Sequence, residues 1–306
     1  MSSTPNATAA EQDMRVDTAP RADETATEPL VPRRHYLRTA VAIVVGVYLI
    51  AVIQSLVTNE RFNWPVVARY LFDPMVLGGV LNTCLLTIAS MGLGLILAFF
   101  VAQFALSESR LLKAAAIVFV WLFRSVPLLV LLLLLYNIGA LYDVIPIGIP
   151  FGPPLIELPT TGVSAFAVAV VAFGFHEAAY SSEIIRASIL SVPSGQREAA
   201  MALGMSNART MVRVVLPSAV RVALPPLMNQ LIMMLKGTSI VAFIAFPDLL
   251  FSVQKIYTVN YEVMPLLVVA SVWYFVLVSA LTIVQQIVER HLARTTRRRG
   301  AAVKAS

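Results

Sequence analysis

The sequence predicts an all-α membrane protein that crosses the bilayer about six times. Of its 306 residues, 58% are apolar and only 13% charged, where a soluble domain carries about 25% charged residues. The apolar residues fall in long uncharged blocks that a water-exposed surface could not absorb. Period-2 alternation is absent from those blocks, which argues against a transmembrane barrel. An ordinary water-soluble enzyme is therefore excluded.

Residues 1–37 are expected to be a disordered tail, because Glu11, Asp13, Asp17, Asp23, Glu24 and Glu28 stand there against only Arg15 and Arg21. The tail lacks the basic start and immediate apolar stretch of a secretory signal. A span needs about 20 apolar residues to cross about 30 Å of hydrocarbon. Residues 39–59 supply the first, with 38–58 set apart as an extra N-terminal helix, and 74–107 the second. The third starts near Leu111 and runs to Tyr142, interrupted by Arg124 and Pro127. Residues 158–176, 222–247 and 263–288 complete the set, and the basic stretch 291–306 forms a C-terminal tail.

Lys and Arg near span ends set the orientation. One side collects Arg33, Arg34, Arg38, Arg110, Lys113, the arginines of 186–221 and the C-terminal cluster; the other holds Arg61, Arg69 and Lys255. Both termini are therefore expected in the cytoplasm. The net charge of +6 reflects this topology and implies no nucleic-acid surface. A single cysteine, Cys84, and three scattered histidines offer no disulfide framework and no metal site.

The loop of residues 176–221 is longer than a simple connection needs and differs in texture. Pro193 and Ser194 suit a helix start, Gln196 to Leu203 are good helix formers, and Gly204 suits a left-handed stop. Ser206 can cap a second helix, which Pro217 is expected to end. On that helix Met211, Val214 and Val215 share one face, and Arg209 and Arg213 another.

The order Glu198-Ala199-Ala200, then Gly204, then Val214-Val215-Leu216-Pro217 resembles the EAA loop of ABC importer permeases, with Val214 standing where the pattern has Ile. Glu177-Ala178-Ala179 serves as an internal control: Glu183 occupies the place of its spaced glycine, so that copy fails. The context Ser191 to Gln196, Leu224 to Gln230, Leu235-Lys236 with Thr238-Ser239, Phe123-Arg124 with Pro127 to Leu129, and Asn82-Thr83 is similar to the polar amino acid uptake subfamily. The resemblance covers residues 76–290, with 190–217 as the coupling loop.

That resemblance implies a type I ABC importer permease core in a bacterial inner membrane, with no catalytic or metal site of its own. It implies two permease subunits, identical or paired with a sister chain, two separate ATPase subunits that bind ATP-Mg, and an extracytoplasmic solute-binding protein. No phosphate-cradling Gly-x-x-x-x-Gly-Lys-Ser/Thr loop occurs in this chain. Glu198, Ala199, Ala200, Gly204, Leu216 and Pro217 become the ATPase-coupling residues: small alanines for close approach, a glycine for the turn, and a carboxylate for a basic or amide partner.

Polar groups inside spans are the candidates for the translocation path. Lys236, Thr238 and Ser239 stand first. Lys236 lines the path or pairs with Glu177 or Glu183 to fix packing. Arg124, beside the kink-permitting Pro127, snorkels to the interface or lines a gate. Asn229 and Gln230, like Asn82 and Thr83, are interhelical hydrogen-bonding groups or path residues. Gly92 and Gly94 are read as packing positions. An ion-coupled secondary transporter would need acids inside the spans and an internal repeat, and the sequence places no acid mid-span. An ABC permease for a non-amino-acid solute is the closer rival.

Overall fold

The computed structural model describes residues 36–148, 152–160 and 162–304. Most of the expected acidic tail, residues 1–35, lies outside them. The chain divides into two compact units, 1–56 and 57–306. The described residues of the first lie in helix α1 (Tyr36–Thr58), whose valines and isoleucines are exposed.

The second unit starts with the short α2 (Trp64–Tyr70) and continues into α3 (Pro74–Ala105). Asp73 caps α3 through its side chain, which accepts from the Met75 N–H, and Pro74 occupies the first turn, where its missing donor is harmless. The predicted third span is broken. Helix α4 (Arg110–Ser125) and α5 (Leu128–Tyr136) meet at 98°. Pro127 has no N–H to continue the ladder, and it holds Val126 in the extended region.

Two strands follow, β1 (Val144–Gly148) and β2 (Pro154–Pro159), paired antiparallel. This small hairpin departs from the all-α expectation within an otherwise helical chain. Helix α6 (Ala165–Leu190) then runs well past the expected end of the fourth span at residue 176. Its extension corrects the statement that no acid lies mid-span: Glu177 is buried near the middle of α6.

Next come α7 (Ser194–Ala202) and α8 (Asn207–Thr210). Contrary to expectation, Pro217 does not end the second helix of this pair. A π-turn over Met211–Val215 lets the Leu216 N–H reach the Met211 carbonyl, and α9 (Leu216–Gly237) continues from it with Pro217 in its first turn. Residues Asn207–Ile244 thus form one continuous helical segment that is long and apolar enough to cross a membrane. The chain closes with α10 (Leu249–Asn260) and the 42-residue α11 (Val263–Lys304), so the predicted basic tail continues the last helix. Five helices among the described residues can span a membrane, and the bent α4–α5 pair makes a sixth.

Packing concentrates on α3. A Cβ on Gly94 would stand 2.8 Å from Glu177 on α6, and one on Gly174 of α6 would stand 2.8 Å from Leu93 on α3. The two helices interlock there, each glycine receiving a side chain of the other, as membrane helix pairs do in the absence of a hydrophobic drive between them. Gly92 meets nothing within 4 Å, so the packing role expected of it belongs to Gly94 alone. Farther along α3, a Cβ on Gly79 would meet the Asp248 carbonyl at 2.8 Å and the Leu249 Cα at 2.9 Å. Val76, Leu249, Val253, Leu266 and Val269 bury themselves around that contact.

The obstruction at Gly79 is backbone and cannot swing aside. Gly79→Ala should therefore push α10 off α3 and destabilise the protein by about 1–3 kcal/mol. Thermal unfolding in detergent should show a lower midpoint than for Gly78→Ala, a position where a Cβ meets nothing.

Candidate functional site

Two regions gather the residues that could work. The first is the helical hairpin 190–217. Gly204 has φ +77°, donates its N–H to the Met201 carbonyl at 2.9 Å, and is followed by Met205, whose N–H reaches the Ala200 carbonyl at 3.1 Å. This paired bonding satisfies the terminal carbonyls of α7 and turns the chain sharply. Ser206 then caps α8 by accepting from the Arg209 N–H. Val215 is buried with Ile189 and Ala219, and Met211 packs against them. The predicted apolar seam thus holds the hairpin against the end of α6.

Of the coupling residues, Ala199, Ala200 and Pro217 line a groove between the two helices together with Arg213, Val214 and Arg221. Ala200 is buried, whereas Glu198 and Ala199 are exposed. Leu216 is half-buried at the start of α9. The tip carries Leu203, 84% exposed. A leucine left exposed on a turn fixed by two backbone hydrogen bonds is an apolar knob. The sequence motif did not single it out, although its place just before Gly204 marks the tip.

The second region is a cavity of about 240 Å³ among α5, α6 and α9. It is lined by Leu128, Phe173, His176, Glu177, Tyr180, Gln230, Met233, Met234 and Gly237. Glu177 is its one lining residue with a formal charge. The Glu177 carboxylate accepts from the Ser181 hydroxyl one turn along α6. His176 and Tyr180 present rings whose centroids lie 4.9 Å apart. Leu128 enters because the elbow at Pro127 directs α5 across the cavity.

Of the residues considered for the path, Gln230 lines this cavity; the structure places the others elsewhere. Thr83 and Thr238 are fully buried. Thr83 accepts from the Leu249 N–H at 3.1 Å and Thr238 donates to the Leu235 carbonyl at 2.7 Å. Asn82 donates to the Pro247 carbonyl at 2.8 Å and Ser239 to the Lys236 carbonyl at 3.0 Å. These groups satisfy the backbone where α9 gives way to a 3₁₀ turn and α10 begins. Asn229 is exposed on α9. Lys236 is exposed beside Gly237, and the pairing considered for it does not form: Glu177 holds Ser181, and Glu183 holds Arg186 at 2.8 Å. Arg124 lies over the Tyr180 ring, 4.7 Å from its centroid.

Glu177, His176, Tyr180 and Gly237 were not expected as one group from the sequence. The α-helical spacing of 173, 176, 177 and 180 on a helix that also holds an intramembrane acid was the available signal. No cluster of His, Cys, Asp and Glu able to hold a metal occurs among the described residues.

Residues 90–294 match the family described as "Binding-protein-dependent transport system inner membrane component". The chain is 36% identical over 269 residues to the arginine transport system permease protein ArgU of Corynebacterium glutamicum, covering 87% of this chain and 84% of that protein. It is 35% identical over 241 residues to the L-cystine transport system permease protein TcyB of Bacillus subtilis, covering 78% and 95%. Among solved structures, it matches a chain of an amino acid ABC transporter crystallised with histidines at 32% identity and a TM-score of 0.62, over 73% of this chain and 97% of that one.

Gly204 anchors the hairpin by its backbone alone. Gly204→Val would place a β-branched residue in the left-handed region, at about 1–2 kcal/mol. Limited proteolysis should then cut within 203–206 faster than in the unaltered protein, with the spans intact.

Proposed function

Because the chain belongs to the family of binding-protein-dependent transport system inner membrane components, we propose that the 190–217 hairpin docks on a separate ATPase subunit and that the cavity around Glu177 is the translocation path. The chain is a multi-pass membrane subunit of an ATP-driven importer of polar amino acids, and a transport component rather than an enzyme. In our reading a second permease chain completes the pathway, ATP-Mg is held by the ATPase pair, and a binding protein delivers solute to the face opposite the hairpin. We place both termini in the cytoplasm, from the distribution of Lys and Arg along the sequence.

The observation that carries the docking proposal is the knob. Leu203 is exposed at the tip, Met201 is 42% exposed beside it, and Glu198 offers an exposed carboxylate one helical turn away. An apolar tip with a charged flank is the composition of an interface centre and its rim. The hairpin leads through the π-turn into α9, which carries Gln230, Met233, Met234 and Gly237 to the cavity wall. A push on the knob therefore reaches the path along one continuous helix.

The cavity suits an amino acid. Its walls are largely apolar and aromatic, and one carboxylate, Glu177, is placed to receive an ammonium or guanidinium group. Arginine, the solute in the name of the relative ArgU, carries both groups, and every amino acid carries the first. Lys236, one residue from the lining Gly237 and without an ion-pair partner among the described residues, is our candidate for meeting the substrate carboxylate as the cavity changes shape.

Three measurements test this reading. In proteoliposomes holding the assembled importer, Glu198→Arg and Leu203→Asp should leave the permease inserted while ATP hydrolysis no longer drives uptake. Normal coupling in both would remove the docking assignment. Glu177→Gln should raise the KM for amino acid uptake roughly 10- to 100-fold, the weight of one hydrogen bond to a charged group. Lys236→Met with unchanged expression should alter the preference between L-arginine and L-glutamate, whereas loss of assembled protein would return Lys236 to a packing role.

A further inference from the structure

On the hairpin side of the cavity, α4 and α6 carry four polar side chains that the path does not use for lining alone. Tyr180 is the last cavity-lining residue along α6 toward the hairpin. Its ring is held from two directions: His176 packs at 4.9 Å between centroids, and the Arg124 guanidinium of α4 lies 4.7 Å from the ring centre. One turn farther along α6, Glu183 grips Arg186, with Nη2 to Oε2 at 2.8 Å and Nε to both carboxylate oxygens at 3.2 Å. Tyr180 and Glu183, three residues apart on α6, are neighbours on one face of that helix.

Arg124 thus has two available resting places a helical turn apart: the face of Tyr180, which it occupies, and the carboxylate of Glu183, which Arg186 occupies. A free carboxylate attracts a guanidinium more strongly than an aromatic face does. Arg124 also stands immediately before the elbow, where α4 meets α5 at 98° and where Leu128 enters the cavity wall. A change in the elbow angle would therefore shift Arg124 relative to α6.

We propose that Tyr180 seals the cavity on its hairpin side, that Arg124 clasps the seal shut, and that Glu183, held by Arg186, is the site to which Arg124 moves when the seal opens. The proposal rests on the cavity being the path. Arg124, Glu183 and Arg186 act through Tyr180 and are positioning residues. Removing Arg186 frees Glu183 and draws Arg124 off the ring; removing Glu183 as well leaves Arg124 where it is.

The test uses the assembled importer in proteoliposomes with Cys84→Ser and Gly237→Cys, and a membrane-impermeant maleimide applied from the hairpin side without ATP. Arg124→Met, Tyr180→Leu and Arg186→Gln should each speed labelling at position 237 by roughly 2- to 30-fold, the range a cation–π contact represents. Arg124→Lys should restore much of the seal, and adding Glu183→Gln to Arg186→Gln should return the rate toward that of the starting protein. Unchanged labelling in Arg124→Met and Tyr180→Leu, or no reversal in the double variant, overturns the proposal; if Tyr180→Leu does not assemble, the Arg124 and Arg186 arms decide alone. L-Arginine and L-glutamate uptake by the fully labelled protein separates the two readings: uptake that survives the block shows that the cavity is not the path, whatever the labelling rates say of the seal.

Discussion

The close crossing of α3 and α6 governs the rest of the molecule. Lipid tails are as apolar as leucine, so membrane helices gain little from hiding apolar surface against each other and rely on contact distance. Gly94 and Gly174 supply that distance by each admitting a side chain of the opposite helix. One of the admitted side chains is Glu177. The same contact that joins the two helices therefore presses the stem of the one cavity carboxylate against α3 and leaves its oxygens to Ser181 and to the open space. Architecture and chemistry share a single contact, and neither can be altered alone.

Much of the architecture was legible because the bilayer imposes a strong length requirement and few residues could meet it. Pro127 announced the break in the third span, Gly204 the left-handed turn, and Ser206 the cap. Pro217 misled because a proline in the first turn of one helix and a proline after the end of another look alike in sequence; the π-turn that reconciles it with a continuous helix has no compositional mark. The fourth span misled for a related reason. Glu177 and Glu183 end an uncharged block, but Ser181 and Arg186 satisfy them inside the helix, so the charge does not end the helix.

The polar residues between α9 and α10 show how differently two kinds of intramembrane polarity behave. Thr83, Thr238, Asn82 and Asp248 are spent on backbone groups at helix ends, where a 3₁₀ turn and the short α10 would otherwise bury unpaired donors and acceptors. Their hydrogen-bonding capacity is turned inward. Glu177, His176, Gln230 and Tyr180 sit instead within regular helix, whose backbone needs nothing from them, and they line the cavity. Sequence alone lists both sets as polar residues in apolar surroundings; only the position of the helix ends tells them apart.

The π-turn at Met211–Val215 fixes a phase relation as well as a direction. Each residue of an α-helix turns the chain by about 100°. Between the knob and the cavity wall, the helix from Asn207 to Gly237 runs without a break. Deleting one residue from that stretch would swing Leu203 and Glu198 about 100° around the axis relative to Gln230 and Met233. The stretch is thus constrained in length more tightly than in composition: side chains within it can be exchanged, but single insertions and deletions rotate one end of the device away from its counterpart.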